Sequence, residues 1–179
     1  MSTFKVIDPA QAPQVTGLAV PQQFYWVLSE PVPLAGMSLP RGQIPWDLLH
    51  FEGFRWVVCL CSETPKYDPA PLQRLVTVEL CDLDERDLPE NPELEEKAVR
   101  AIATKVVEKL RDGEGVIVHC AGGRGRTGTV LGVVLKMLGL EDREVLQFLN
   151  RVHQLRRTPG WPEATWQKEV VEREQADGR

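Results

Sequence analysis

The sequence predicts an α/β fold, with a mostly parallel central sheet of about four to five strands that is flanked by helices. Short apolar runs typical of buried strands alternate along the chain with longer segments whose apolar residues recur at helical spacing. Strands that alternate with helices need crossover connections, and these favour parallel pairing. The chain has 179 residues and 42% hydrophobic content, enough for one well-buried core and short for two.

Four segments are predicted strands. They are FYWVLS (24–29), RWVVCLCS (55–62), RLVTVELC (74–81) and GVIVHC (115–120). The last three are nearly continuous apolar runs, which is the pattern of strands buried on both faces of a sheet. Prolines at positions 31, 33, 40 and 45 predict turns after the first strand, because proline fixes φ and lacks a backbone N–H.

Five segments are predicted helices. WDLLHFEGF (46–54) is short and ends at Gly53, where glycine permits a left-handed cap. The longest begins at Pro92 with three glutamates in its first turns and ends at Gly113 after Lys109 and Arg111, which suits both helix termini. The other three are TGTVLGVVLKMLGL (127–140), DREVLQFLNRVHQLRR (142–157) and WPEATWQKEVVEREQ (161–175).

The expected domain organisation is simple. Residues 1–22 are rich in proline, glutamine and alanine and are expected to form an irregular lead-in, followed by a single domain over 23–172 and a frayed end over 173–179. The first residues lack a cationic region followed by an apolar run, and no stretch of about 18 apolar residues occurs anywhere. We therefore expect a soluble, cytoplasmic protein without a membrane span.

Charge and cysteine usage exclude several classes of partner. A net charge of -5 and a pI near 5.3 do not supply the positive field that nucleic acids or membrane surfaces require. Cys59, Cys61, Cys81 and Cys120 lie in or beside apolar strands, which favours reduced thiols, and Cys59 and Cys61 are interpreted as small core residues. There is no CxxC pair and the three histidines are scattered, so we expect neither a metal site nor a cofactor. Nothing in the sequence predicts an oligomeric state.

The segment HCAGGRGRTG (119–128) lies between a predicted strand and a predicted helix, where phosphate-binding loops occur. Gly123, Gly125 and Gly128 match the dinucleotide pattern GxGxxG, but four residues separate the strand from the first of these glycines. A Walker-type loop requires a lysine before Thr127, and Arg126 does not replace that point charge. Both alternatives leave part of the segment unused.

A third interpretation uses the whole segment. The thiol of Cys120 would face successive backbone N–H groups and the positive end of the next helix, which favour an ionised nucleophile at neutral pH. Arg126 can hold two phosphate oxygens with its planar guanidinium, and Thr127 can hydrogen-bond the sulfur. The residues expected to bind the phosphate of the substrate are Ala121, Gly122, Gly123, Arg124, Gly125 and Arg126.

This segment resembles the signature loop of the cysteine-dependent protein tyrosine and dual-specificity phosphatases, which consists of HC, five variable residues, R, and S or T. The order of elements is most similar to the compact group that contains the cyclin-dependent-kinase-associated phosphatase. The resemblance implies a protein tyrosine phosphatase-like fold and hydrolysis of a phosphorylated protein or small phosphomonoester through a cysteinyl-phosphate intermediate. It also implies that Cys120 is the nucleophile and that His119 orders the loop from behind.

The resemblance further implies a general acid on a loop upstream of the cysteine. ELCDLDERDLPENPE (79–93) offers Asp82, Asp84 and Asp87. In the family this aspartate follows the last apolar residue of the strand by two positions, so Leu80 favours Asp82, with Asp84 next. Once deprotonated, the same side chain would activate the water that hydrolyses the intermediate.

Two alternative functions stay open. Two interpretations of Arg124 are open: a solvated loop charge, or a residue that favours a more anionic substrate such as a phosphoinositide or an inositol phosphate. A phosphoprotein-binding adaptor is opposed by the intact Cys120, Arg126 and Thr127, because a pure binder gains nothing from a thiolate that repels the phosphate. Arg156 or Arg157 could also approach the loop from the helix that carries them.

Overall fold

Five short strands form the central sheet. In the computed structural model, which describes residues 3–176, they are β1 (Phe24–Leu28), β2 (Leu34–Met37), β3 (Phe54–Cys59), β4 (Gln73–Thr77) and β5 (Gly115–His119). They lie in the order β1-β2-β5-β3-β4. The β1–β2 pair is antiparallel and the other three pairs are parallel. The predicted mostly parallel α/β sheet is therefore confirmed.

Five helices accompany the sheet. They are α1 (Trp46–Phe51), α2 (Pro92–Arg111), α3 (Gly125–Met137), α4 (Asp142–Leu155) and α5 (Thr165–Arg173), and a short 3₁₀ turn lies at Pro9–Gln11. The α2 helix begins at Pro92 as predicted, because Asn91 accepts the backbone N–H of Leu94 at 3.1 Å and proline suits the first turn. Gly53 follows α1 with φ of +104°, which is the left-handed conformation expected there.

Both faces of β5 are covered, which makes it the central strand of the core. Val116 and Val118 pack into the larger apolar cluster, which includes residues of α2, α3, α4 and α5. Ile117, which points to the opposite face, packs with residues such as Leu49 of α1 and Phe54. The burial of every residue of β5 fixes its register, so the residues that follow it have a defined position at the carboxyl edge of the sheet.

The sequence analysis did not identify β2. This strand is only four residues long and follows a proline-rich turn, so its apolar pattern is too short to stand out. Gly36 in its centre pairs with Tyr25 of β1, and an added Cβ would lie 2.3 Å from the Tyr25 ring. Glycine is therefore needed there to let the tyrosine cross the strand.

The β4 strand is at the edge of the sheet. The sequence analysis expected this segment to be buried on both faces, and that prediction is wrong. Gln73 and Arg74 are exposed and the remaining three residues are half-buried. In the sheet order, β4 has β3 as its single neighbour, and an apolar run does not reveal where in a sheet its strand will lie.

The last helix begins later than predicted. The sequence pattern suggested a helix over 161–175, whereas α5 begins at Thr165. Trp161 is buried, and a Cβ added at Gly128 would lie 2.4 Å from its indole nitrogen. The tryptophan therefore packs against the first turns of α3 instead of continuing the helix.

The ends of the chain are described in part. Residues 1–2 of the expected lead-in and residues 177–179 of the expected frayed end lie outside the described residues. Within the lead-in, the backbone N–H of Ile7 donates to the carbonyl of Val27 at 3.0 Å, and the Trp26 indole donates to the carbonyl of Pro13 at 3.0 Å. Among residues 3–176, none of the helices combines the length and the apolar character needed to cross a membrane.

Candidate active site

The cysteine loop, residues 120–124, joins the carboxyl end of β5 to α3. Gly123 adopts φ of +70°, and a Cβ at this position would lie 2.5 Å from the carbonyl oxygen of Met37. Glycine is therefore required both by the backbone conformation and by the close approach to the end of β2. The backbone N–H of Leu39, just beyond β2, donates to the carbonyl of Ala121 at 3.0 Å. The loop is thus fixed by its contacts with the β1–β2 hairpin.

Arg156 binds the cysteine loop from the carboxyl end of α4. Its buried guanidinium donates to the carbonyl of Gly122 at 2.9 Å and to that of Gly123 at 3.0 Å. Tyr25 donates its hydroxyl to the same Gly123 carbonyl at 2.7 Å, and burial raises the pKa of Tyr25, so the hydroxyl remains a donor. These bonds fix the orientation of the peptide groups that contain the Gly122 and Gly123 carbonyls. The sequence had left open which arginine reaches the loop, and Arg157 is exposed.

Cys120 and His119 are both buried at the end of β5. The Nδ1 of His119 lies 3.2 Å from the carbonyl of Cys120, so this nitrogen carries the proton and donates. The Nε2 then accepts the hydroxyl of Tyr67 at 2.5 Å. Burial lowers the pKa of His119 to about 4, which leaves a neutral ring at neutral pH. This geometry suits a residue that orients the loop, not a base.

The thiol of Cys61 lies close enough to Cys120 for the two groups to interact electrostatically. Burial is the main cause that raises the pKa of the Cys61 thiol to about 12, and the neighbouring Cys59 adds to the rise. The charge of Arg126 lowers the pKa of Cys61 and that of Cys120 raises it, but both effects are smaller than those of burial and Cys59. Cys61 is therefore protonated at neutral pH and is a poor nucleophile.

Arg126 and Thr127 lie in the first turn of α3 and are buried. Arg126 donates from one terminal nitrogen to the carbonyl of Leu80 at 3.4 Å, and its other terminal nitrogen lies 3.4 Å from a carboxylate oxygen of Asp82. Within the described part of the chain, the Nε of Arg126 and the Oγ1 of Thr127 are buried without a hydrogen-bond partner. Buried polar groups are normally paired, so these two unpaired groups in the first turn after the cysteine loop have the capacity to bind a polar ligand.

The structure separates the three candidate acids. Asp82 is exposed over 74% of its side chain and contacts Arg126, the arginine that follows the cysteine loop. Asp87 instead accepts the backbone N–H of Asp84 at 3.0 Å and closes a turn with it. The backbone N–H of Thr165 donates to the carbonyl of Glu85 at 3.0 Å, so this loop rests against the start of α5.

Glu163 is a residue of this site that the sequence analysis missed. It lies 3.2 Å from the guanidinium of Arg124, which also donates to the carbonyl of Gly160 at 2.5 Å. Burial raises the pKa of Glu163, Arg124 opposes that rise, and the charge of Asp82 adds to it. No motif connects two residues that are 39 positions apart, so the sequence offered no signal for this contact. The side chain of Arg124 is thus directed toward the segment before α5.

Comparisons with known proteins agree with this arrangement. Residues 21–175 match the family described as "PTP-SAK: Swiss Army Knife protein, DSP-PTPase phosphatase domain". The chain is similar to Tk-PTP in its active form, with 26% identity and a TM-score of 0.56 over 78% of this chain and 88% of that one.

Two further structures share the fold at lower identity. P. aeruginosa TpbA in complex with pTyr has 17% identity and a TM-score of 0.60 over 98% of this chain and 91% of that one. PTPMT1 in complex with PI(5)P has 17% identity and a TM-score of 0.57 over 78% and 87% of the two chains.

The family match covers most of the chain and includes the β1–β2 hairpin, the cysteine loop and all five helices. It also confirms the superfamily that the signature loop predicted. On these grounds the chain belongs to the DSP-PTPase phosphatase domains of the Swiss Army Knife family, within the dual-specificity phosphatase superfamily.

Proposed function

We propose that the protein is a phosphomonoester hydrolase of the protein tyrosine and dual-specificity type, and that it works through a cysteinyl-phosphate intermediate. The observation that carries this proposal is the convergence of three groups. Cys120 directly follows the central strand, Arg126 lies in the first turn of the next helix, and Asp82 reaches Arg126 at 3.4 Å from a separate loop. A nucleophile, a phosphate ligand and a proton donor are the groups that this chemistry requires.

In the first step, the thiolate of Cys120 attacks phosphorus in line with the leaving oxygen. The S–P bond forms as the P–O bond breaks, and the carboxyl group of Asp82 gives its proton to the departing oxygen. Backbone N–H groups of residues 121–126 and the guanidinium of Arg126 bind the equatorial oxygens. Because these donors are held in place before the reaction, they can bind the transition state more tightly than the ground state.

In the second step, the carboxylate of Asp82 takes a proton from water and the water oxygen attacks phosphorus. The S–P bond breaks, the electron pair returns to the sulfur of Cys120, and inorganic phosphate leaves. Thr127, whose buried hydroxyl has no partner among the described residues, is assigned to hydrogen-bond the departing thiolate. His119 keeps the loop oriented and takes no part in proton transfer.

For the substrate class, we favour a phosphorylated protein over a phosphoinositide or an inositol phosphate. A substrate with additional phosphates needs free cations beside the cysteine loop. Arg124 is the cation within the loop suited to that role, but it is bound by Glu163 and by the carbonyl of Gly160. Asp82 adds further negative charge next to Arg126. A phosphoprotein-binding adaptor is less well supported, because the nucleophile and its arginine are both intact.

A panel of substrates tests this assignment. We expect a phosphotyrosine peptide to be hydrolysed with a kcat/KM at least about tenfold higher than a short-chain phosphoinositide, because Arg124 is not free to bind the additional phosphates. Glu163→Gln should reduce the difference in kcat/KM between the two substrates, because it weakens the contact that holds Arg124. A wild-type preference for the phosphoinositide would overturn the substrate class but not the cysteine mechanism.

Replacement of the proposed acid should produce an effect that depends on the leaving group. Asp82→Asn is expected to lower kcat for a phosphothreonine peptide by about 10²- to 10⁴-fold, because an alkoxide departs poorly without a proton. For 4-nitrophenyl phosphate, whose leaving group is stable as an anion, the loss should be below about tenfold. The comparison is made from pH profiles of kcat for both substrates.

Asp84→Asn is the matched control for this measurement, because it alters a carboxylate two positions along the same loop, whereas Asp82 is the carboxylate that pairs with Arg126. It should leave both profiles close to those of the wild-type enzyme. A loss of equal size on both substrates after Asp82→Asn would mean that Asp82 supports the fold of the loop instead of donating a proton.

Arg156 should be required for an ordered cysteine loop. Arg156→Met keeps much of the side-chain length but removes the donors to Gly122 and Gly123. We expect kcat to fall by about 10- to 100-fold and the free energy of unfolding to fall by about 2–4 kcal/mol, because buried carbonyls lose charged donors. Hydrolysis of 4-nitrophenyl phosphate and unfolding in urea give the two values. Arg157→Met, which changes an exposed neighbour, should alter neither; equal effects of both variants would contradict this role.

A further inference from the structure

Three side chains of types that can bind a metal ion lie together at the carboxyl edge of the sheet. Cys59 is the last residue of β3 and His119 the last of β5, and the two are register partners in adjacent parallel strands. Cys61 follows two residues after Cys59. One donor atom from each of these residues, two sulfurs and one ring nitrogen, lies within 4.8 Å of the others. The cluster could not be identified from the sequence, because His119 lies 58 positions after Cys61 along the chain and no CxxC pair is present.

We propose that Cys59, Cys61 and His119 form a binding site for a thiophilic divalent metal ion of the Zn²⁺ type. Zn²⁺ accepts two cysteines and one histidine, and it completes a tetrahedron with an oxygen ligand. This site does not depend on the proposed function, because none of its three ligands is the nucleophile or the phosphate-binding arginine.

The existing geometry is close to what a tetrahedral ion requires. Ligand atoms at usual Zn–S and Zn–N distances lie about 3.6–3.8 Å apart. The donor atoms of Cys59, Cys61 and His119 lie within 4.8 Å of one another, so they need to approach by about 1 Å at most, which is within the reach of small side-chain rotations. The backbone of the two strands can therefore remain in place.

His119 is already oriented as a metal ligand. Its Nδ1 faces the carbonyl of Cys120 at 3.2 Å, and metal-binding histidines commonly donate their second ring nitrogen to such a carbonyl. The lone pair of Nε2 is directed at the hydroxyl of Tyr67, 2.5 Å away. Two ligands of one tetrahedral Zn²⁺ are about 3.3 Å apart when both bind at about 2.0 Å. Because the hydroxyl lies in the direction in which Nε2 would bind an ion, the Tyr67 oxygen would have to move aside by about 2 Å when the metal binds.

The charge balance suits a site of limited exposure. Coordination replaces the thiol protons of Cys59 and Cys61, so two S–H bonds break, two metal–sulfur bonds form and two protons pass to solvent. Two thiolates and a neutral imidazole cancel the charge of a divalent ion. Cys59 and His119 are buried and Cys61 is half-buried, so a neutral complex avoids an uncompensated charge beside the core.

The simpler interpretation is that Cys59 and Cys61 only fill space, as buried cysteines commonly do. That interpretation accounts for each thiol alone but not for a histidine nitrogen lying with both sulfurs. The Cys59 thiol makes a weak contact with the carbonyl of Ser62 at 3.5 Å and a hydrogen bond with the neighbouring Cys61 thiol. The sulfur thus loses little when it turns toward an ion.

Metal titration of the full chain tests the proposal. Zn²⁺ binding is measured by equilibrium dialysis, and Cd²⁺ binding by its thiolate absorption in the ultraviolet, both under a phosphine reductant. Cys120→Ser provides the background, because it removes the catalytic thiol as a competing ligand. We expect one equivalent of metal per chain in this background and at least about tenfold weaker affinity after the additional change Cys61→Ser.

The matched control adds Cys81→Ser to the same background and should keep full affinity, since Cys81 is a free thiol outside the cluster. Circular dichroism confirms that each variant is folded, and the half-buried Cys61 is the ligand whose replacement disturbs the core least. Binding that disappears in Cys120→Ser alone, or that survives Cys61→Ser unchanged, would overturn the proposal.

Discussion

Cys120→Ser is expected to lower kcat for 4-nitrophenyl phosphate by at least about 10⁴-fold while leaving substrate binding nearly intact. A serine hydroxyl is a much weaker nucleophile than a thiolate, and His119 is not placed to activate it, because its two ring nitrogens are bound to the Cys120 carbonyl and to Tyr67. The groups assigned to bind the phosphate remain. Steady-state kinetics give the loss of turnover, and calorimetric titration with a phosphotyrosine peptide gives the affinity.

Cys61→Ser and Cys81→Ser are the controls for this experiment, because each removes one thiol without touching the proposed nucleophile. Both should retain turnover within about tenfold of the wild-type value. Hydrolysis that survives Cys120→Ser at more than about a hundredth of the wild-type rate would remove the thiolate mechanism.

Arg126→Lys is expected to lower kcat/KM by about 10²- to 10⁴-fold although the positive charge is kept. Lysine presents one ammonium group and cannot offer two parallel N–H donors to the phosphoryl oxygens. The buried guanidinium is also positioned by the carbonyl of Leu80 and by Asp82, contacts whose geometry an ammonium does not reproduce. Kinetics with 4-nitrophenyl phosphate, together with competitive inhibition by tungstate, separate the loss in turnover from the loss in oxyanion binding.

Arg124→Lys makes the same chemical change two residues earlier and is the matched control. Arg124 is bound to Glu163 and to the carbonyl of Gly160, so its replacement should change kcat/KM by less than about tenfold. Equal losses in both variants would show that the loop requires arginines for its conformation in general, not Arg126 for phosphate in particular.

The parts of the site that are local in sequence could be predicted from it. The apolar run of β5, the glycines of the cysteine loop and the start of α3 are continuous in the chain. Their spacing therefore indicated the positions of Cys120 and Arg126 without any knowledge of the remaining fold. The resemblance to the phosphatase family favoured Asp82 among three aspartates, because it follows Leu80 by two positions, and its carboxylate lies next to Arg126 in the structure.

The remaining features depend on contacts between distant segments. The contact between Arg124 and Glu163, and the hydrogen bonds from Arg156 to the loop, each join residues more than 30 positions apart. Edge and centre strands have similar apolar runs, so the exposure of β4 follows from sheet order alone. The pairing of Cys59 with His119 likewise exists only once β3 and β5 have been brought side by side.

The closeness of Gly123 to Met37 bears on how such a protein could be re-engineered. The main chain of the cysteine loop rests on the end of β2 with no room for a methyl group, and the hydroxyl of Tyr25 reaches the same glycine from β1. A cysteine loop transplanted alone from a relative would lack the contacts with its own β1–β2 hairpin that determine its conformation. Successful grafts should therefore exchange residues 24–39 and 119–128 together, because the conformation of the second segment depends on its packing against the first.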